Sequence, residues 1–126
     1  MKSKIWFFLV LLIFANSLVA STIEVCSDCK IKTIKEAILV AKAGDIIKVK
    51  KEIYKEANLI IDKSITIIGE NLPTIDGQLM GDVFIIKADQ VSIKGFKIIN
   101  VGKLLMKSNA AIRVQKSKHF LISDNH

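Results

Sequence analysis

The sequence has few of the side chains that bind transition metals: two cysteines and two histidines among 126 residues. The cysteines form one C-x-x-C pair, Cys26 and Cys29, and the histidines are His119 and His126. A closed zinc site needs four such side chains brought together, and this spacing does not favour one. These four residues are the candidate metal ligands, and no particular metal is assigned to them.

The C-x-x-C pair has three interpretations. In an oxidising compartment, Cys26 and Cys29 would form a small disulfide or hold a metal ion as thiolates. Redox catalysis of the thioredoxin type needs the pair at a helix N-terminus within a βαβ unit, and the surrounding pattern has no such unit. A disulfide is preferred over a metal contact, and redox catalysis comes last. Copper would accept thiolate and imidazole ligands, but affinity alone does not establish a site.

Long apolar runs are scarce, and the longest lies near the N-terminus. Ile5–Ala15 is an unbroken run of 11 apolar residues, preceded by Lys2 and Lys4 and followed by small residues up to Ser21. A membrane-spanning helix needs about 20 apolar residues. The pattern therefore favours a secretory signal peptide over residues 1–20, and hence a periplasmic protein, rather than a membrane anchor.

Acidic residues are fewer than basic ones. After removal of the predicted signal peptide, 17 basic and 12 acidic residues remain, a net charge of +5. Lysines such as Lys48, Lys94 and Lys97 are scattered at outward strand positions, as a solvated surface requires. Because exported proteins rarely meet nucleic acid, no nucleic-acid partner is predicted, and a membrane is expected to be reached only through partner proteins.

Helical periodicity is limited to Thr33–Ala43. Thr33 and Glu36 form a T-x-x-E capping box, and Gly44 is expected to end the helix. Four apolar residues share one face of the helix: Ile34, Ala37, Ile38 and Ala41. Within an N-terminal segment of residues 21–45, such a helix is expected to cover the open end of a stack of strands.

From residue 46 to residue 126 the sequence repeats. Two columns of apolar residues recur at steps of 26 and then 29 residues: Ile65, Val91 and Phe120 in one, and Ile67, Ile93 and Ile122 in the other. The same steps align Ala57–Val83–Ile112 and Leu59–Ile85–Val114, and two steps of 26 residues align Ile46–Leu72–Ile98 and Val49–Ile75–Val101. In the second step, the polar run 103–109 absorbs the three extra residues.

The repeating unit is built from short strands. Apolar residues alternate with polar ones around Thr66 and Ser92, which is the period of a strand. The segments are rich in β-branched residues and are separated by turn residues, and Pro73, the only proline, falls in one of these turns. Three short strands per repeat predict an all-β fold, a right-handed parallel β-helix in which equivalent residues stack about 4.8 Å apart.

From Ile23 to the C-terminus the chain resembles the N-terminal part of the NosD family, β-helical proteins of the pectin-lyase-like superfamily. The resemblance is seen in the segments 33–56, 59–77 and 88–102. The combination of GEN-x-P-x-x-DG with AD-x-V-x-I-x-GF-x-I carries most of the resemblance. Glu52 departs from the family pattern, which has glycine two residues before Tyr54. Family members also continue for more coils, so this chain is expected to be a truncated part of a longer protein, with Phe120 and Ile122 uncapped.

The resemblance implies a periplasmic accessory factor for assembly of the copper centre of nitrous-oxide reductase. Its partners would be that enzyme and an ABC-type transporter. The family has no catalysis of its own, so no catalytic residue is predicted. Copper is implied only by the family, and no residue of this chain can be matched to a family functional motif.

Two alternatives remain. Polysaccharide lyases and hydrolases of this fold need converging carboxylates, but the aligned coils do not stack acids: Asp62 aligns with Ala88, Asp89 with Lys118, and Asp124 with Gly95 and Gly69. The acids are better explained as turn residues. A carbohydrate-binding or adhesive surface is the second alternative, and its outward residues would be Thr66, Ser92, Lys94 and Ser123.

Overall fold

The structure is a computed structural model that describes residues 19–104 and 107–126. Its strands form a parallel β-solenoid of about four turns with one short helix, which confirms the predicted fold class. The predicted signal peptide lies almost wholly outside the described residues.

One helix, α1 (Ile34–Val40), lies near the start of the described chain, and short strands follow one another from there to the end. The strands are β1 (Thr22–Val25), β2 (Ile46–Val49), β3 (Ile53–Lys55), β4 (Leu59–Ile61), β5 (Thr66–Gly69), β6 (Thr74–Asp76), β7 (Phe84–Ile86), β8 (Val91–Lys94), β9 (Lys97–Ile99), β10 (Lys103–Leu104), β11 (Lys107–Ser108), β12 (Ile112–Val114) and β13 (Phe120–Ser123).

Three parallel sheets form the walls of the solenoid. Sheet A has the order β1-β2-β5-β8-β13, sheet B has β3-β6-β9, and sheet C has β4-β7-β12. Each turn of the chain passes from sheet A to sheet B to sheet C and then back to sheet A one strand further along. Strands β10 and β11 form an antiparallel hairpin inserted between β9 and β12.

The interior of sheet A contains the predicted columns. Ile67 pairs with Ile93, and Ile93 pairs with Ile122 on its other side. Val91 pairs with Phe120 in the neighbouring column. These residues face the core because alternate side chains of a strand point to opposite faces.

Gly69 at the end of β5 and Gly95 directly after β8 allow the coils to stack closely. A Cβ atom on Gly69 would lie 2.3 Å from the carbonyl oxygen of Gly95, and one on Gly95 would lie 2.6 Å from the carbonyl oxygen of Gly69. Gly95 also has a φ of +85°, which an L side chain rarely adopts. A side chain at either position would push two adjacent coils apart.

Sheet C has a different register from the one predicted. Phe84 pairs with both Leu59 and Ile112, so the predicted alignment of Leu59 with Ile85 is wrong by one residue. The segment from Val83 to Ile86 is apolar throughout and buried throughout. Without alternation of polar and apolar residues, the sequence does not distinguish one register from the next.

Sheet B also departs from the predicted alignment. Ile75 pairs with Tyr54 on one side and with Ile98 on the other, at steps of 21 and 23 residues instead of 26. Leu72 lies in a turn with a φ of +58° and is not part of a strand. The predicted rows through Ile46 and Val49 fail because the corners between sheets differ in length from coil to coil.

The N-terminal segment contributes one strand that the sequence analysis did not predict. Strand β1 pairs in register with β2, so sheet A begins before the helix. The helix begins as expected, since the Thr33 hydroxyl accepts a hydrogen bond from the Glu36 N–H, but it ends at Val40 instead of Ala43. It packs against β1, β2 and β4 and buries Ile34, Ala37 and Ile38.

Candidate functional surfaces

The outward side chains of sheet A form the largest continuous ladder in the described part of the chain, called here the outer face of sheet A. One row runs across the five strands as Thr22, Ile46, Thr66, Ser92 and Leu121. The second row is Glu24, Lys48, Ile68, Lys94 and Ser123. All four residues of the predicted binding surface, Thr66, Ser92, Lys94 and Ser123, therefore lie on this face.

The two rows of this face carry hydroxyl, charged and apolar side chains. Lys48 and Lys94 lie two strands apart in the same row, or about 10 Å at the usual strand spacing. Glu24 is the one acid in the two rows, and it forms an exposed ion pair with Lys50 at 3.8 Å. Hydroxyls and two ammonium groups on a flat sheet suit an acidic or polar partner surface.

The helix is held at both ends by the coil beneath it. The Glu56 carboxylate accepts hydrogen bonds from the N–H groups of Ile34 and Lys35, at 2.9 and 3.0 Å. At the other end, the Lys63 ammonium donates to the carbonyl oxygens of Ile38, Leu39 and Ala41, at 2.9, 3.0 and 2.8 Å. A negative group at the N-terminus and a positive group at the C-terminus both match the helix dipole.

Glu56 and Lys63 flank strand β4, so α1 runs along β4 in the same direction and takes the place of a sheet C strand in the first coil. The roles of Glu56 and Lys63 at the helix ends were not predicted from the sequence. The available signal was an acid and a lysine seven residues apart, on either side of a three-residue strand. It becomes informative only when the helix is known to lie on that strand.

Cys26 and Cys29 are joined in a disulfide. The loop that contains them, residues 26–31 and called here the disulfide loop, turns back so that Ile31 pairs with Val25. The Glu52 carboxylate accepts a 2.8 Å hydrogen bond from the Ser27 N–H. The residue that departs from the family pattern thus ties this loop to the next coil, and hydrogen bonds from Ser27 lower the pKa of Glu52.

Two further groups stabilise the same end of the solenoid. Asp45 is buried and accepts hydrogen bonds from the N–H groups of Lys42 and Ser21, at 2.8 and 3.0 Å, which lower its pKa. The Tyr54 hydroxyl lies near the carbonyl oxygens of Lys50 and Val25, at 2.7 and 3.2 Å. Burial and the nearby charge of Glu52 raise the pKa of Tyr54 to about 12.

The other candidate metal ligands lie far from the cysteines. His119 immediately precedes β13 and His126 follows it, at the opposite end of sheet A from the cysteines, which follow β1. The four intervening strand spacings separate these ends by about 19 Å. Within residues 19–104 and 107–126, no three His, Cys, Asp or Glu side chains are grouped to hold a metal ion. The structure therefore does not bring the four candidates into one site.

Several carboxylates lie at the corners between sheets, where they bind backbone N–H groups. Asp82 is buried, accepts a hydrogen bond from the Ala110 N–H at 2.6 Å and forms a two-pronged ion pair with Arg113. The Asp82 carboxylate raises the pKa of Arg113. Asp89 accepts from the Lys118 N–H, and Asp76 accepts from the Gln78 N–H and the Asn100 amide. These contacts agree with the interpretation of the acids as turn residues.

The C-terminal end of the solenoid exposes apolar side chains. Phe120 and Ile122 are 48% and 38% exposed, whereas Val91 and Ile93, which precede them in the same columns, are 1% and 0% exposed. Within the described residues, these two side chains are therefore less covered than those one coil earlier. The last residue continues the stacking, because the His126 N–H donates to the carbonyl oxygen of Phe96 at 2.7 Å.

The described residues contain no helix that is both long and apolar enough to cross a membrane. Comparisons of the chain with protein-family models, with curated proteins and with solved structures gave no significant match. The fold is that of a parallel β-solenoid.

Proposed function

We propose that the protein is a non-catalytic, exported accessory factor in assembly of the copper centre of nitrous-oxide reductase. The resemblance of three segments to the NosD family motivates this proposal. Its partners would be nitrous-oxide reductase and an ABC-type transporter. In this role the solenoid acts as a rigid scaffold that presents a contact surface.

The use of the carboxylates is the observation that supports a scaffold over an enzyme. A lyase or a hydrolase of this fold needs acids that converge on Ca²⁺ or on the scissile bond. Here Asp45, Asp82 and Asp89 each accept hydrogen bonds from backbone N–H groups at coil corners. A carboxylate held in this way is positioned for stability and is not directed toward a substrate.

Copper fits this role as the cargo of the assembly pathway and not as a resident cofactor of this chain. Cys26 and Cys29 are bonded to each other, and in this oxidised state they offer no thiolates. His119 and His126 lie at the other end of the solenoid. The residues present do not fit a copper site, so no step of the proposed function passes through a metal bound here.

The outer face of sheet A is the proposed contact surface. It is flat, spans five strands and carries Lys48 and Lys94 on one row. Charge reversal of both lysines should weaken contact with an acidic partner without touching the core. Lys97 is an exposed lysine on sheet B and provides the matched control.

The experiment is gene deletion and complementation in a strain that produces nitrous-oxide reductase. Deletion should leave the reductase exported but deficient in copper, and the wild-type gene and a Lys97→Glu variant should restore the copper content. The Lys48→Glu/Lys94→Glu variant should fail to restore it. A reductase with full copper after deletion would refute the proposal, and specific glycan-array binding by the purified protein would favour the carbohydrate alternative.

A further inference from the structure

Among the described residues, the disulfide loop covers the C-terminal end of the outer edge of β1 in sheet A. Strand β1 is the outermost strand of that sheet, and Ile31 covers it through a parallel bridge to Val25. The Cys26 N–H donates to the carbonyl oxygen of Ile31 at 3.3 Å, and Val25 is fully buried. The loop therefore covers part of the outer strand of sheet A, as α1 covers the outer strand of sheet C. Such cover matters because uncovered strand edges tend to pair with other chains.

Two backbone N–H groups fix the middle of this loop. The Cys29 N–H donates to the carbonyl oxygen of Cys26 at 3.2 Å, and the Ser27 N–H donates to Glu52. Ser27 and Asp28 are exposed, so water competes for these hydrogen bonds. The bond between Cys26 and Cys29 closes this exposed part of the loop covalently, whereas Ile31 at the end of the loop packs against the core.

The two sulfur atoms differ in access. Cys26 is buried at 8% exposure, whereas Cys29 is partly exposed. Two lysines and two acids, Lys30, Lys50, Glu24 and Asp28, line the same surface depression as the disulfide. Because it is the more exposed of the two sulfur atoms, Sγ of Cys29 is the one that an external thiol reaches first.

We propose that the Cys26–Cys29 disulfide is a redox-controlled latch on the N-terminal end of the solenoid. The thiolate of an external dithiol attacks Sγ of Cys29, which forms a mixed disulfide and releases Cys26 as a thiolate that takes up a proton. The second thiol of the reductant then displaces Cys29. The reductant is oxidised to a disulfide, the protein gains two electrons and two protons, and the freed loop exposes the outer edge of β1.

Hydrogen exchange of the full chain, with and without dithiothreitol in native buffer, tests the latch. Loss of the loop closure should speed exchange of the Cys26 and Ser27 amides on the order of tenfold. The amides of Leu59 and Lys87, which donate to Val83 and Ile61 within sheet C, should not change. Reoxidation should restore the slow exchange.

Two variants complete the test. Cys26→Ser/Cys29→Ser should match the reduced protein whether or not a reductant is present, and Asp28→Asn, which alters an exposed side chain of the same loop, should respond like the wild type. Three results would overturn the latch: a disulfide that dithiothreitol reduces only after denaturation, exchange that is the same in both redox states, or faster exchange throughout sheet C. If the double variant fails to fold, the test is hydrogen exchange of the wild type before reduction, after reduction and after reoxidation.

Discussion

At the N-terminal end of the solenoid, α1 and the disulfide loop lie over sheets C and A, whereas at the C-terminal end β12 and β13 are the outermost strands of the described chain. Similar side chains therefore have different surroundings at the two ends. In β1, Val25 is fully buried and Ile23, which lies in the column of Ile122, is partly buried, while Ile122 of β13 is 38% exposed. The apolar columns alone do not bury a terminal coil, and an additional covering element is needed.

At the N-terminal end, polar side chains of the first complete coil bind the two elements that cover it. Glu56 and Lys63 bind the two ends of α1, and Glu52 binds the disulfide loop. Each of these side chains comes from the coil that is covered. The first complete coil thus positions its own cap, and stability should be unevenly distributed between the two ends.

The largest expected effect compares one column at two depths. Ile93→Ala should reduce the free energy of unfolding by about 2–5 kcal/mol, because it leaves a cavity among fully buried side chains. Ile122→Ala should cost less than about 1.5 kcal/mol, because this side chain is packed on one side only. Urea denaturation of both variants measures the difference, and equal losses would mean that the C-terminal end is as well packed as the middle.

The next largest loss of stability is expected when the contact between Lys63 and the C-terminal end of α1 is removed. Lys63→Met keeps the aliphatic stem but removes an ammonium group that binds three helix carbonyls. The expected loss is about 1–3 kcal/mol, the range for hydrogen bonds to a charged group. Lys97→Met, which changes an exposed lysine on sheet B, is the control and should change stability by less than about 0.5 kcal/mol.

Hydrogen exchange then places the effect within the molecule. In the Lys63→Met variant, the Ala41 amide, which donates to Ala37 at the end of α1, should exchange faster. The Phe84 amide, which donates to Ala111 toward the other end of sheet C, should not. Equal acceleration at both positions would show that the cap and the distal coils unfold as one unit.

How much the sequence could predict depends on whether a segment has polar and apolar faces. The column through Ile67 and Ile93 could be predicted from the sequence, because each of these residues alternates with polar or outward-facing neighbours. The run Val83–Ile86 has no alternation, and its register was missed by one residue. Pairing of a helix with a strand leaves no periodic signal, so Glu56 and Lys63 were not recognised.

The candidate metal ligands show a second limit of the sequence. Cys26, Cys29, His119 and His126 were chosen as candidate ligands because they are the only cysteines and histidines in the sequence. Their spacing along the chain does not give the distances between them in the folded protein. In a solenoid, residues about 25 positions apart are neighbours, while residues about 95 positions apart lie several coils away. The number of coils between two residues decides whether they lie close together.

Tyr54 provides a spectroscopic test of the N-terminal end, since it is the only tyrosine in the chain. Burial raises its pKa from 10.0 to about 12, so the folded state favours the protonated hydroxyl. Its contribution to stability is present below pH 10 and is lost as the pH rises from 10 to 12. Absorbance of the tyrosinate at alkaline pH should show a midpoint near 12.

Tyr54→Phe is the matched variant for this titration. It removes the hydroxyl that lies near the carbonyl oxygens of Lys50 and Val25, and it should cost about 1 kcal/mol at neutral pH. Between pH 10 and 12, the wild type should lose stability relative to this variant, which also corrects for the titration of lysines. An absorbance midpoint near 10 in the folded protein would mean that the hydroxyl is open to water.

The smallest effect on stability is expected at the C-terminal end. Leu121 is an outward residue of β13 and is 56% exposed, so Leu121→Lys should change the free energy of unfolding by less than about 0.5 kcal/mol. The same change should reduce concentration-dependent association, because a lysine on an edge strand opposes pairing with another chain. Light scattering over a range of concentrations measures this, and Lys94→Leu on the neighbouring strand β8 is the reverse control, expected to increase association. If Leu121→Lys destabilised the fold and left association unchanged, β13 would be a packed part of the core and the two ends would be equivalent.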